Sequence, residues 1–191
     1  KIKSSEEFWF YIFFVTGCTV FITLVLYIGT DRPFEKSFRD AFFQVISQIS
    51  CTGFASTDYM AWPYIGWFFM FLIMFAGGST GSTTGGIKMA RHLISIKNLR
   101  SAFIKLRHQN AVVPVTLNGK IIPDNINNMM MVFIVLYIII FMFGMMIMQV
   151  SGISIVESAG ASATCMAGIG PGLGKSGNMG NYAHFNAMAK S

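Results

Sequence analysis

Ten consecutive residues, Gly77-Gly78-Ser79-Thr80-Gly81-Ser82-Thr83-Thr84-Gly85-Gly86, hold five glycines and no charge. No Asp, Glu, Lys or Arg occurs between Asp58 and Lys88. Trp62 to Ala76, ahead of the run, is apolar enough for lipid, yet shorter than the about 20 residues that a spanning helix needs. The run therefore reads as a break in a helix at membrane depth. Non-helical backbone is tolerated there only where protein buries it or where it lines a watery cavity. Such a break predicts a transport path.

Two further glycines belong to a repeated unit. Asp40 lies thirteen residues before Gly53 and Glu157 thirteen before Gly170, so Phe38–Gly53 and Ile155–Gly170 can be laid over each other at a spacing of 117 residues. Each block reads as a short helix that ends in a glycine turn. A helix that stops inside the membrane aims its carbonyl end, about half a negative elementary charge, at whatever lies there. Free carbonyls in the following turn can replace the hydration shell of a cation, and glycine permits the backbone angles such a turn needs. Asp40 and Glu157 are expected at the outer starts of these helices, as dipole partners or as ordinary caps. Neither turn contains an acid, which favours a large, easily dehydrated monovalent cation over a divalent one.

The elements that must position these turns follow from hydropathy. Phe8 to Gly29 is an uncharged run of spanning length with Trp9, Tyr11 and Tyr27 near its ends, where interfacial aromatics belong. Phe38 to Ile49 is too short to cross and mixes Gln44, Ser47 and Gln48 with Phe42, Phe43 and Ile46, as a helix that enters and turns back. Pro63 can start the next helix, which runs to Ala76, breaks at the glycines and resumes from Ile87. Ser95 to Arg107 reads as amphipathic, with Leu99, Phe103 and Leu106 on one face. Asn118-Gly119 predicts a type I′ hairpin. Asn125 to Val150 is the second full span, and Ser154 to Met166 the second short helix.

Composition supports a membrane chain: 53% of the 191 residues are hydrophobic and 12% charged, against about 25% charged in soluble domains. Cys18, Cys51 and Cys165 lack the spacing of a disulfide framework or a zinc site. Seven of the fourteen Lys and Arg fall between Lys88 and Lys120, which places 88–125 in the cytoplasm and 31–61 outside by the positive-inside bias. A nucleic-acid role for that basic stretch is disfavoured, because two membrane segments tether it.

Thr52-Gly53-Phe54, the run Gly77 to Lys88, Asn110 to Val115 with Asn118-Gly119-Lys120, and Gly170-Pro171-Gly172-Leu173-Gly174 together resemble the Trk/Ktr/HKT potassium transporter superfamily, closest to the Trk-type pore-forming subunit. The resemblance covers nearly the whole chain. It implies an all-α integral membrane fold of span–pore helix–span units, K+-channel-like, with four such units around a K+ path. Residues 1–107 match the third unit, 108–125 a cytoplasmic linker, and 126–191 the fourth unit without its last span. The resemblance further implies a selectivity filter at Cys51, Thr52, Gly53, Phe54, Gly168, Ile169, Gly170 and Pro171, with K+ on its carbonyls. It assigns a gating loop to Gly77, Gly78, Gly81, Ser82, Gly85, Gly86 and Lys88. It also implies a multi-pass protein of the cell inner membrane that works as a homodimer with a cytoplasmic nucleotide-binding regulatory subunit and needs no cofactor. Cys51 stands where the family often has Thr, and Gly168 where it often has Asn. The remaining units are expected in a longer protein, of which this chain is a part; a Na+-permeable relative is the alternative within the family.

Other signals are weaker. Gly168 to Ser176 ends like a phosphate-binding loop, but Ile169 occupies its first glycine position. Gly172 to Gly177 fits G-x-G-x-x-G without the preceding strand that the dinucleotide fingerprint requires. An intramembrane hydrolase using Ser79 or Ser82 with His184 as base needs the two to meet, and the expected topology puts them on opposite sides. Close helix packing through small residues needs fewer glycines than 77–86 supplies.

Overall fold

A computed structural model describes residues 5–108, 113–183 and 185. Helix α1, Glu6–Gly29, is followed by α2, Phe34–Ile49, and, after an extended stretch, by α3, Tyr64–Ile73. Helix α4, Met89–Arg107, leads to a two-residue-per-strand hairpin, β1 Thr116–Leu117 and β2 Lys120–Ile121, then to α5, Asp124–Val150, and α6, Ile155–Ala167. Both α1 and α5 are long and apolar enough to cross a membrane. Asn110 to Val112 of the linker motif and His184 lie outside the described residues.

Local sequence explains the boundaries. Ser5 caps α1, accepting from the Phe8 N–H, and Glu6 and Glu7 occupy its first turn, where the helix dipole favours carboxylates. Pro33, fixed at φ −61°, precedes α2 and lets it begin four residues before the expected Phe38. That early start corrects the expectation for Asp40. It lies in the second turn of α2 rather than at the outer end, is buried, and pairs with Arg32 at 3.5 Å. Glu35 holds the first-turn position instead. Glu157 does sit in the first turn of α6, its N–H bonded to the capping Ser154 hydroxyl. Regular helix α3 stops at Ile73, short of Ala76, because Met74, Phe75 and Ala76 tighten to i−3 hydrogen bonds. The expected amphipathic segment from Ser95 is the later part of the unbroken α4. In the hairpin, Asn118 and Gly119 both take positive φ, 52° and 75°, as a type I′ turn requires.

Helix α2 is built inside out. Ser37, Gln44, Ser47 and Gln48 are buried, whereas Phe34, Phe38, Phe42 and Phe43 are exposed. Buried polar groups and broad apolar exposure are the informative departures from a water-soluble pattern. In α2 the polar face turns to the protein interior and the phenylalanine face turns outward. Helix α5 repeats the theme, with only Tyr137 and Phe141 buried among its described residues. The core lies where the Cys18–Ile22–Leu26 stripe of α1 meets Ala41, Val45 and Ile49 of α2. Met70 and Ile73 of α3 and Ala163 and Ala167 of α6 complete it.

Removing one partner of a mostly buried ion pair strands the other. Asp40→Ala should therefore destabilise the detergent-solubilised protein by about 1–3 kcal/mol, read as a lower thermal unfolding midpoint, while the exposed pair variant Glu35→Ala (Glu35 to Arg39, 3.0 Å) should leave it unchanged.

Candidate functional site

The short helices α2 and α6 end in the same way at positions 117 residues apart. The Ser47 carbonyl accepts the N–H groups of Thr52 (3.0 Å) and Gly53 (3.3 Å). The Thr164 carbonyl accepts those of Gly168 (2.8 Å) and Ile169 (3.1 Å), and the Thr164 hydroxyl accepts the Gly170 N–H at 2.9 Å. Cys51 (φ 53°) and Gly168 (φ 68°) are left-handed, and so are Gly53 (φ 73°) and Gly170 (φ 108°). Both turns thus fold their donors back onto the helix end. Among the described residues, the carbonyls of Cys51, Thr52, Gly53 and Gly168 accept no hydrogen bond. Such open carbonyls at a helix C-terminus can accept from water or from a cation, which the helix dipole favours there.

The two turns touch. A Cβ on Gly53 would come within 2.1 Å of the Ile169 carbonyl oxygen and 3.0 Å of the Pro171 ring. Two phenols brace the outer side. Tyr59 donates to the Gly172 carbonyl, and Tyr182 donates to the Gly170 carbonyl at 2.7 Å. Burial holds the Tyr59 hydroxyl well above its ordinary value and pushes Tyr182 up to about 12, so both remain donors at neutral pH.

Residues 77–88 form a pinched loop against this assembly. Its neck is glycine on both sides: a Cβ on Gly86 would meet the Gly77 Cα at 2.9 Å, and one on Gly77 would meet the Gly85 carbonyl at 2.5 Å. The Ile87 N–H reaches Phe75 O at 3.1 Å and the Met89 N–H reaches Gly78 O at 3.0 Å. Lys88, held at φ 74°, turns its ammonium back into the loop, donating to the Ser82 carbonyl at 2.8 Å, the Thr84 hydroxyl at 3.3 Å and the Thr84 carbonyl. Ser82 and Thr84 hydroxyls bond each other at 3.1 Å, and Gly78 N–H bonds the Thr84 hydroxyl at 2.9 Å. Ser82 is therefore engaged within the loop, while His92 lies against the Phe75 carbonyl.

Loop and turns border a common open hollow. A cavity of about 280 Å³ is lined by Ser50 and Cys51 after α2, Thr83 to Gly85 of the loop, and Cys165 to Gly168 of α6. A Cβ on Gly85 would strike the Ala167 carbonyl at 2.2 Å, so the loop is seated directly under the end of α6. An adjoining cavity of about 720 Å³ is bounded by Ser5, Glu7, Phe8, Tyr11, Ser50, Gly78, Ser79 and Ser82 to Thr84. Ser50, Thr83 and Thr84 line both cavities, so the loop and the end of α2 form their shared border.

Residues 8–191 match the family described as TrkH, cation transport protein. The chain belongs to the TrkH family. It is 26% identical over 181 residues to the Trk system potassium uptake protein TrkH of Halomonas elongata, covering 95% of this chain and 37% of that protein. It is 32% identical over 154 residues to TrkG of Escherichia coli, covering 81% and 31%. The crystal structure of the potassium transporter TrkH from Vibrio parahaemolyticus superposes with a TM-score of 0.89 at 26% identity, over 97% of this chain and 40% of that one. The chain thus spans between about a third and two-fifths of the length of these relatives.

Within this TrkH-family chain, the structure brings Gly53 against Ile169 and Pro171, and Cys51, Gly85 and Gly168 around one hollow; the other residues singled out differ. The Ile169 side chain is buried in the core. The Phe54 carbonyl is taken by the Ser47 hydroxyl at 2.6 Å, with its ring 70% exposed. Gly81 sits in open space. Sequence reasoning missed Ser47 and Thr164, although the 117-residue register pairs them, and it missed Tyr59 and Tyr182.

The glycines should separate by mechanism. Gly53→Ala meets both a left-handed backbone, costing about 1–2 kcal/mol, and a carbonyl. Gly170→Ala meets the backbone cost alone, and Gly81→Ala neither. Unfolding midpoints of the purified protein are expected in the order Gly53→Ala lowest, then Gly170→Ala, with Gly81→Ala like the parent.

Proposed function

We propose that this chain is part of the pore of a K+ uptake transporter in the cell inner membrane, contributing its third unit (1–107), a cytoplasmic linker (108–125) and most of its fourth unit (126–191). The supporting observation is the polar chamber between the two carbonyl-bearing turns and the glycine-rich loop. A dehydrated K+ rests on carbonyls of the turns 51–54 and 168–171, stabilised by the negative ends of α2 and α6. Because the turns carry no carboxylate, the charge is spread over dipoles, which suits a monovalent ion that gives up its water readily. The printed names of the relatives, potassium uptake proteins, agree with this reading.

Residues 77–86 act as the gate. Thr83 and Thr84 of this loop border both cavities, which supports the reading, and the Lys88 ammonium that cross-braces the loop would oppose cation passage. The protein works as a homodimer, with a cytoplasmic nucleotide-binding subunit as regulator, and catalyses no hydrolysis. The remaining units supply the other walls: Thr52, Gly168 and Gly170 are exposed on the side that those units would cover.

The filter assignment is tested with Gly170→Ala in the intact transporter, since that Cβ meets nothing within 4 Å and the protein should still assemble. Uptake in K+-uptake-deficient cells should lose about tenfold in K+/Na+ discrimination, a 1.4 kcal/mol change at one site. Undiminished discrimination would remove the turn from the filter, and a parent protein admitting both ions equally would favour the Na+-permeable alternative. Shortening the loop by Ser79 to Ser82 should raise K+ flux; equal or lower flux in a protein that reaches the membrane would contradict a gate.

A further inference from the structure

The bonds inside the loop fix its neck and close its tip, where the Ser82 N–H donates to the Ser79 carbonyl at 3.0 Å, and Thr80 within that tip is also held from elsewhere. Thr80 donates both its N–H (2.6 Å) and its hydroxyl (2.9 Å) to the same oxygen, Oε1 of Glu7. Glu7 lies in the first turn of α1, 73 residues away in sequence. A carboxylate accepts only, so two converging donors suit it, and hydrogen bonds to an ionised group are among the stronger ones.

The neighbouring residue faces a different partner. Glu6 accepts from the Lys97 ammonium of α4, and its N–H donates to the Asn118 side chain at 2.7 Å. Lys97 also donates to the Thr116 carbonyl of β1 at 2.7 Å. Consecutive carboxylates in one helical turn are thus bound to two different bodies: Glu6 to the β1–β2 hairpin and α4, Glu7 to the tip of the loop. Neither contact serves the core, and both couple elements far apart in the chain.

We propose that Glu7 is the latch of the loop, and that Glu6, through Lys97 and Asn118, makes the hairpin at 116–121 the lever that releases it. Displacing the hairpin draws on the first turn of α1 and weakens the hold on Thr80. Ser5, Glu7 and Phe8 border the larger cavity together with the loop, so a freed tip has space to move into. This inference rests on the reading of 77–86 as a gate.

The test measures Rb+ flux in proteoliposomes containing the intact transporter without its regulatory subunit. Glu7→Gln keeps the shape but removes the charge, and Thr80→Val removes the hydroxyl donor. Each should raise flux, by about 3- to 10-fold for Glu7→Gln and less for Thr80→Val, and the double variant should not exceed the larger single effect. Asn118→Gly preserves the left-handed backbone of the hairpin while deleting its bond to Glu6; it should raise flux in the parent and have no effect in Glu7→Gln. A protein lacking Ser79 to Ser82 serves as the reference. If that deletion raises flux while Glu7→Gln and Thr80→Val do not, the latch is overturned and the gate stands. If the deletion also has no effect, gate and latch fall together. An Asn118→Gly effect that persists in Glu7→Gln overturns the lever. Should Glu7→Gln fail to reach the membrane, Thr80→Val alone reads the contact, raised flux supporting it and unchanged flux contradicting it.

Discussion

The peptide donors of both glycine turns bend back onto the ends of their own helices. Ser47 and Thr164 collect the N–H groups of residues 52–53 and 168–170. This one constraint points the opposite pole of each peptide, the carbonyl, away from the helix end, and those of residues 51, 52 and 168 accept no hydrogen bond among the described residues. Every other feature of the site serves it. Left-handed backbone at 51, 53, 168 and 170 makes the reversal possible. The Tyr59 and Tyr182 hydroxyls pin the carbonyls at 172 and 170, whereas those of 51–53, 168, 169 and 171 accept no hydrogen bond among the described residues. A carbonyl cradle held by covalent geometry and hydrogen bonds costs little reorganisation when an ion exchanges its hydration shell for it.

Burying such irregular backbone at membrane depth requires a protein that is polar within and apolar without. Helix α2 meets that need by turning serine and glutamine inward and phenylalanine outward. The loop at 77–88 meets it differently. Its neck is closed by glycine against glycine, its hydroxyls bond one another, and Lys88 returns its charge to loop carbonyls. The result is a segment in which many polar groups are satisfied locally, while Thr80 at its tip is satisfied by Glu7 of α1. Its seat under Ala167, where no side chain fits at Gly85, ties its position to the end of α6.

Much of this was legible from residue order. Spans, short helices, the hairpin and the repeat follow from hydropathy and from glycine placement, because lipid imposes lengths and because left-handed turns demand particular residues. Asp40 was misplaced because Pro33 starts α2 a turn early, a local effect outside the repeat, whose second copy has Ser154 at that junction. Ser47 and Thr164 were overlooked since a hydroxyl near a helix end is commonplace; only the shared register distinguishes them. Contacts such as Glu7 with Thr80, or Tyr59 with Gly172, join residues 73 and 113 apart, and no periodicity carries that information.

The central claim is that the free carbonyls of the two turns hold a cation. Anomalous diffraction from crystals of the intact transporter grown with Rb+ in place of K+ tests it most directly. The account predicts ordered Rb+ within about 3 Å of carbonyls of residues 51–53 and 168. Ordered Rb+ found only elsewhere along the pore, with water or side chains on those carbonyls, would contradict it.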